Sequence, residues 1–164
     1  MVSVRSAAAA DWSEWRSLRR RALSEAPDAF GATVAEWSGE GDTEQRWRRR
    51  LDEVPVNLVA YDAGRPVGMV SVTAVEQDEM KVISMWVAPE ARGSGVGEVL
   101  VRAAVAHAAA AAAKRVALNV RAGNARAYAL YRRVGFVEVG WPTSPYTPHP
   151  KHRMVLDIDV SRSG

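Results

Sequence analysis

The sequence predicts a mixed α/β fold built as a single domain over residues 1–164, with strand hairpins first and strand–helix–strand units later. Three observations predict it. Short apolar runs bounded by Gly, Pro and Asp recur from residue 57 onward and have the composition of strands. Other segments return their apolar residues every three or four positions, the period of a helix with one buried face. Finally, 48% hydrophobic and 25% charged residues in a chain of 164 suit one ordinary globular core.

Residues 2–5 have the pattern of a short strand. Asp11, with Glu14 three residues on, has the form of a capping box, in which side chains satisfy the free N–H groups of a helix start. That helix runs from Trp12 to about Ala26 and stops at Pro27. Trp15, Leu18 and Ala22 share its inner face, with Arg19, Arg20 and Arg21 mostly outside. A second helix follows Asp42, with Gln45 three residues on, and turns Trp47 and Leu51 inward. Residues 57–61 and 66–74 are strands flanking Asp62-Ala63-Gly64-Arg65, a hairpin turn in which Gly64 supplies positive φ cheaply. Residues 80–87 form a third strand, ended by Ala88-Pro89. A long helix from Glu98 to about Ala113 consists of strong helix formers. Then come a strand at 115–120, a helix at 125–133, a strand at 136–139, a proline-rich loop at 141–150 and a last strand at 152–158.

Composition narrows the function. There is no cysteine, which excludes a disulfide scaffold, Cys-based zinc sites and a cysteine nucleophile, and agrees with a cytoplasmic location. The N-terminus lacks the apolar core of a signal peptide. No apolar run approaches the roughly 20 residues that span a bilayer, so no membrane role is expected. A net charge of +3 is too small to suggest nucleic acid, and the run Arg46, Arg48, Arg49, Arg50 has the character of a solvated helix face. His149 and His152 have no further ligand cluster around them, so no metal is expected; His107 shares a helix face with Leu100 and Ala104 and is expected to be packed.

The stretch from Met85, Trp86 and Val87 to Gly97 joins a strand to the long helix. Gly93, Gly95 and Gly97 let the backbone turn sharply and come close to a ligand. The free N–H groups at the helix start, with its dipole, make an anion site, and Arg92 adds a charge with a bidentate fork. These features suit a diphosphate. The Walker pattern fails because Gly97 is followed by Glu98-Val99, and a dinucleotide fingerprint fails because Glu98 stands where its third glycine belongs.

The pattern that fits, Arg92-Gly93-Ser94-Gly95-Val96-Gly97, resembles the acetyl-CoA loop of the GNAT acetyltransferases. Downstream, Asn124, Ala127, Leu130, Tyr131 and Gly135-Phe136 are spaced as in the second signature of that family. The resemblance covers about residues 67–139. It implies a central, mostly antiparallel sheet with a splayed parallel strand pair at the acetyl-CoA site, flanked by about four helices. It also implies acetyl-CoA as cosubstrate, contacted by Met85, Trp86, Val87, the 92–97 loop, Asn119, Asn124, Ala127 and Tyr131. Many relatives dimerise, so a homodimer is a possible partner state.

An amine acceptor of pKa roughly 10.4 must lose a proton before it attacks, an oxyanion then needs donors, and a thiolate finally needs a proton. The resemblance makes Tyr131 the acid and the Val87 backbone N–H the oxyanion donor. The base stays open among Glu79, Asp78, Ser84 and Glu36, with Glu79 taken first, because Lys81 stands where many relatives carry a glutamate. Glu36, Glu40, Asp42 and Glu44 form an acidic segment that would attract a cationic amine, or else a solvated helix start. Glu36, Trp37, Trp141 and Tyr146 are the candidates for the acceptor pocket. The expected activity is acetylation of a small molecule's primary amine by direct attack in a ternary complex. A protein N-terminal or lysine acetyltransferase and a silent acetyl-CoA-binding module stay open beside it.

Overall fold

A computed structural model describes residues 1–26, 33–140 and 150–158. Among these residues seven strands form one sheet: β1 (Val2–Ser6), β2 (Val56–Asp62), β3 (Arg65–Val72), β4 (Glu79–Val87), β5 (Arg115–Arg121), β6 (Val137–Glu138) and β7 (Lys151–Asp157). Their order across the sheet is β1-β2-β3-β4-β5-β7-β6. Every pairing is antiparallel except β4 with β5. Four α-helices among the described residues accompany it: α1 (Trp12–Glu25), α2 (Glu44–Glu53), α3 (Val96–Ala110) and α4 (Ala125–Val134). This is the expected class and strand arrangement.

Two buried clusters flank the sheet. One packs Val96, Leu100, Val101, Ala104 and Ala108 of α3 against the sheet and also takes in Tyr131 and Phe136. The other packs Trp15 and Leu18 of α1 and Trp47 and Leu51 of α2 against Val59, Met69 and Trp86. The β2–β3 hairpin pairs Asp62 with Arg65 across a two-residue loop. Both loop residues have positive φ, Gly64 at 79° and Ala63 at 51°, which matches the right-handed twist of the flanking strands.

Local capping departs from the expectations in two places. The Asp11 carboxylate does not cap α1; it accepts the Ala8 N–H at 2.9 Å and closes a short 3-10 turn before the helix. Asp42 does not cap α2 either, because Thr43 does, its hydroxyl accepting the Arg46 N–H at 3.2 Å. Asp42 instead accepts Arg16 Nε at 2.7 Å and the indole N–H of Trp47 at 2.8 Å, with Arg20 at 3.5 Å. It locks α1 to α2, and these donors hold its carboxyl well below the usual carboxylate range.

Burial departs from expectation at Arg19, at His107 and at Arg50, whose guanidinium is drawn off the solvated face of α2 onto Asn57, Ser71 and Ser84. Arg19 is 8% exposed, inside rather than outside α1. His107 is exposed rather than packed, while its neighbour Ala108 goes inside. Tyr128 is only half-buried, and its hydroxyl donates to Glu138 at 2.9 Å.

Candidate active site

The parallel pair β4–β5 holds together only at its start, where Glu79, Met80 and Lys81 pair with Arg115, Val116 and Ala117. Beyond that the strands part. On its other side β4 stays paired with β3, but the register slips between Met69 and Ser71. The extra residue lies near Ser84, which is held at φ 54°. A bulge bends and twists its strand, and here it turns the second half of β4 away from β5.

The parting leaves an open backbone edge. The Ala88 N–H donates to the Val67 carbonyl at 2.8 Å. Alternate residues of a strand turn their amides to opposite sides, so Met85 and Val87 turn theirs toward the gap that β5 has left. The gap is a cleft of about 830 Å³, within the size range of small-molecule sites. Met85, Trp86, Val87, Asn119, Asn124, Ala127 and Tyr131 all border it.

At the cleft's mouth, Gly93 and Gly95 have φ of 82° and 89°, a conformation in which side chains are strained. Gly97 has a different role: a Cβ there would lie 2.9 Å from Leu130 Cδ2, so its hydrogen lets α3 approach α4. The first intrahelical bond of α3 runs from the Val99 N–H to the Gly95 carbonyl at 3.1 Å. The N–H groups of Val96, Gly97 and Glu98 precede it and face outward at the positive end of the helix dipole. The described charges around the cleft are four arginines (92, 121, 126 and 133) against Glu25 and Glu98. That balance favours a polyanion.

Arg92 is more constrained than the sequence suggests. Its Nε donates to the Val87 carbonyl at 3.1 Å and its Nη2 to Glu25 at 2.8 Å. The same Glu25 oxygen accepts the Trp86 indole N–H at 2.9 Å. The donors, Arg92 foremost, hold the Glu25 carboxyl below its usual range. The pair braces the end of α1 against the end of β4, so the loop's backbone N–H groups are the better-placed anion donors. Glu25 lies 67 residues before Arg92, and no motif spacing links the two; sequence reasoning missed it.

Tyr131 stands on the α4 wall, 7% exposed, its ring edge-on to Phe136 with centroids 5.9 Å apart. Its hydroxyl makes no hydrogen bond to any described residue. Burial pushes the phenol well above its usual pKa, so it keeps its proton. Asn124 caps α4 through its side-chain oxygen, which accepts the Ala127 N–H at 3.2 Å.

Glu79 does not suit the part of a base. It lies where β4 and β5 are still paired, outside the cleft lining. It accepts bonds from Arg153 and, at 3.0 Å, from Arg115, and these hold its carboxyl below the usual range. It ties β4, β5 and β7 together. The acidic segment is likewise not a free anionic face, since Asp42 is engaged by Arg16 and Arg20. Trp37 packs on Trp47 with centroids 4.3 Å apart and carries Arg46 over its ring at 3.9 Å. Neither Glu36 nor Trp37 borders this cleft. Trp141 and Tyr146 lie outside the described residues.

Comparison with known proteins agrees with this geometry. The model of the family described as "Acetyltransferase (GNAT) family" matches residues 12–136. A putative [ribosomal protein bS18]-alanine N-acetyltransferase from Bacillus subtilis is 28% identical over 104 residues, 63% of this chain and 68% of the relative. A mycothiol acetyltransferase from Clavibacter michiganensis is 30% identical over 135 residues, 82% of this chain; the match spans 42% of that longer relative. Among solved structures, the PaiA N-acetyltransferase from Thermoplasma acidophilum in complex with coenzyme A superposes with a TM-score of 0.75 at 13% identity. That superposition covers 96% of this chain and 99% of the other.

Proposed function

The chain belongs to the acetyltransferase (GNAT) family, and on that premise we propose that it moves an acetyl group from acetyl-CoA to a primary amine of a small molecule. The observation that carries this reading is the open edge of β4 at Met85 and Val87, with the glycine loop at one end and Tyr131 across the gap. An amide-rich arm can pair with that edge as β5 would have done, while the N–H groups at the start of α3 take its phosphates. When bound, acetyl-CoA supplies an acetyl group already activated as a thioester.

The chain's own residues then have defined tasks. The Val87 N–H faces the gap and can donate to the acetyl oxygen as charge builds on it. The ammonium gives one proton to solvent before attack, the nitrogen forms the new C–N bond as the C–S bond breaks, and the second proton it then sheds returns through water to the Tyr131 phenolate once that has protonated the sulfur. Tyr131 holds its proton because burial disfavours the phenolate, and gives it to the departing sulfur. Asn124 fixes the start of α4 and hence the place of Tyr131.

The reading is tested by acetyl-CoA consumption in the presence of a library of small amines and of peptides with free N-termini or lysines. Turnover with small amines supports it. Turnover with peptides alone moves the acceptor to proteins, the activity named for the Bacillus subtilis relative. Acetyl-CoA binding without turnover on any acceptor leaves only a binding module.

A further inference from the structure

Where β4 bulges, a side chain of the cleft is wired to a cation that the expected chemistry leaves unused. Ser84 lines the cleft. Its Oγ accepts Arg50 Nη2 at 3.2 Å. Arg50 reaches there from α2 and also donates to Asn57 Oδ1 at 2.9 Å and to Ser71 Oγ at 3.1 Å. All three acceptors are neutral. Among the described residues no carboxylate forms an ion pair with Arg50; Glu53 only adds a favourable longer-range attraction.

Taking a guanidinium out of water without a counter-charge is costly. Burial pushes Arg50 down to about 10, and it lowers Arg19 likewise to about 10, with Arg50's repulsion as the second cause. Two cations therefore share one side of the sheet. The indole N–H of Trp15, whose ring lies 5.6 Å from the Arg50 guanidinium carbon, also lacks an acceptor among the described residues.

The protons of the groups around Arg50 have definite destinations. Ser71 spends its hydroxyl proton on Asn57 Oδ1 at 2.8 Å. Asn57 spends its amide protons on the Leu51 and Val54 carbonyls at 3.2 and 2.8 Å. Among the described residues Ser84 only accepts, so its O–H stays available toward the cleft, polarised by the cation behind it. A hydroxyl in this state donates strongly and makes a poor base, which removes Ser84 from the candidates for that role.

We propose that Ser84, backed by Arg50, is a subsite for a carboxylate carried by the acceptor, so that the acceptor is an amino acid or a similar aminocarboxylate rather than a polycation. One hydroxyl donor and one guanidinium match a monoanion. The inference rests on the acetyltransferase reading and deepens it. It also agrees with the fate of the acidic segment, whose Asp42 is already neutralised by arginines.

The test compares α-amino acids with their primary amides, which differ in the negative charge, as acceptors for the parent, Ser84→Ala and Arg50→Lys. Calorimetry with acetyl-CoA runs beside it. Parent protein should favour each acid over its amide by tenfold or more in kcat/KM, mostly through KM. Ser84→Ala should reduce that preference to within about threefold while acetyl-CoA affinity holds. Ala is no more strained than Ser at this φ, so Ser84→Ala keeps the question open to measurement even if Arg50→Lys fails to fold. Acids no better than amides, or a preference that survives Ser84→Ala, overturns the proposal, as does acetyl-CoA binding without turnover of either series. An equal fall in kcat for acids and amides overturns it too, because Ser84 would then serve the reacting oxygen. Failure to bind acetyl-CoA would instead overturn the acetyltransferase reading itself.

Discussion

Tyr131→Phe should lower turnover by about 10²–10⁴-fold while leaving stability and acetyl-CoA affinity near parental. The structure separates these effects. The hydroxyl makes no hydrogen bond to a described residue, so deleting it strands no partner, and the ring still rests edge-on against Phe136. The stability cost should stay at about 1 kcal/mol or less, which for a chain of this length is about 2–4 °C in Tm. The rate loss corresponds to about 2.7–5.5 kcal/mol of transition-state energy, at about 1.36 kcal/mol per tenfold. Chemistry therefore exceeds packing by a clear margin. Single-turnover rates for parent and mutant read the difference, with acetyl-CoA and with an acetyl thioester of a more acidic thiol. The defect should shrink with the better leaving group, which needs less protonation. A mutant that acetylates at the parental rate in a single turnover would refute the reasoning and leave the thiolate to be protonated by another route.

Two further outcomes follow from the ion pairs. Asp42→Ala should destabilise the fold by roughly 2–4 kcal/mol, because the fully buried Trp47 loses its indole acceptor and Arg16 its partner; Glu40→Ala is the control, and a Tm drop no larger than the control's would contradict the assignment. The Asp42 carboxyl is depressed in the folded state, so its contribution is present above the unfolded pKa of about 3.9 and is lost as pH falls toward the folded value, a loss that acid melts of parent and mutant should show as convergence. Glu79→Gln should lower Tm without moving the acid limb of the pH–rate profile, since Glu79 joins three strands and does not border the cleft; a displaced acid limb would restore it as a base.

The parts of the fold visible in the sequence are those governed by neighbours along the chain. The Asp62–Arg65 turn and the left-handed glycines 93 and 95 are short-range, and each stands where the residues imply. Asp42 misled because a carboxylate before a helix serves as a cap by default, whereas this one finds stronger donors on α1, 22 and 26 residues away. Arg19 misled because helical periodicity counts a guanidinium as an outward group. The Ser84 bulge and the Glu25–Arg92 brace were illegible for a related reason: a register slip depends on the strand opposite, and the brace on how α1 crosses the end of β4. Several residues of the cleft's lining could thus be named from the sequence, while Glu25 at its mouth and the cation beneath its floor could not.

The central claim is that the opening between β4 and β5 receives acetyl-CoA with its phosphates at residues 92–97. Calorimetric titration of acetyl-CoA into the parent and into Gly95→Val tests it most directly. Gly95 sits at φ 89°, and a Cβ there meets no chain atom within 4 Å, so the added side chain projects into open space where the ligand backbone must approach. A thermal melt of each protein accounts for the backbone strain, about 1–2 kcal/mol. The account predicts one acetyl-CoA per parent chain and at least tenfold weaker binding by a folded mutant. Equal affinity in the two proteins would contradict it.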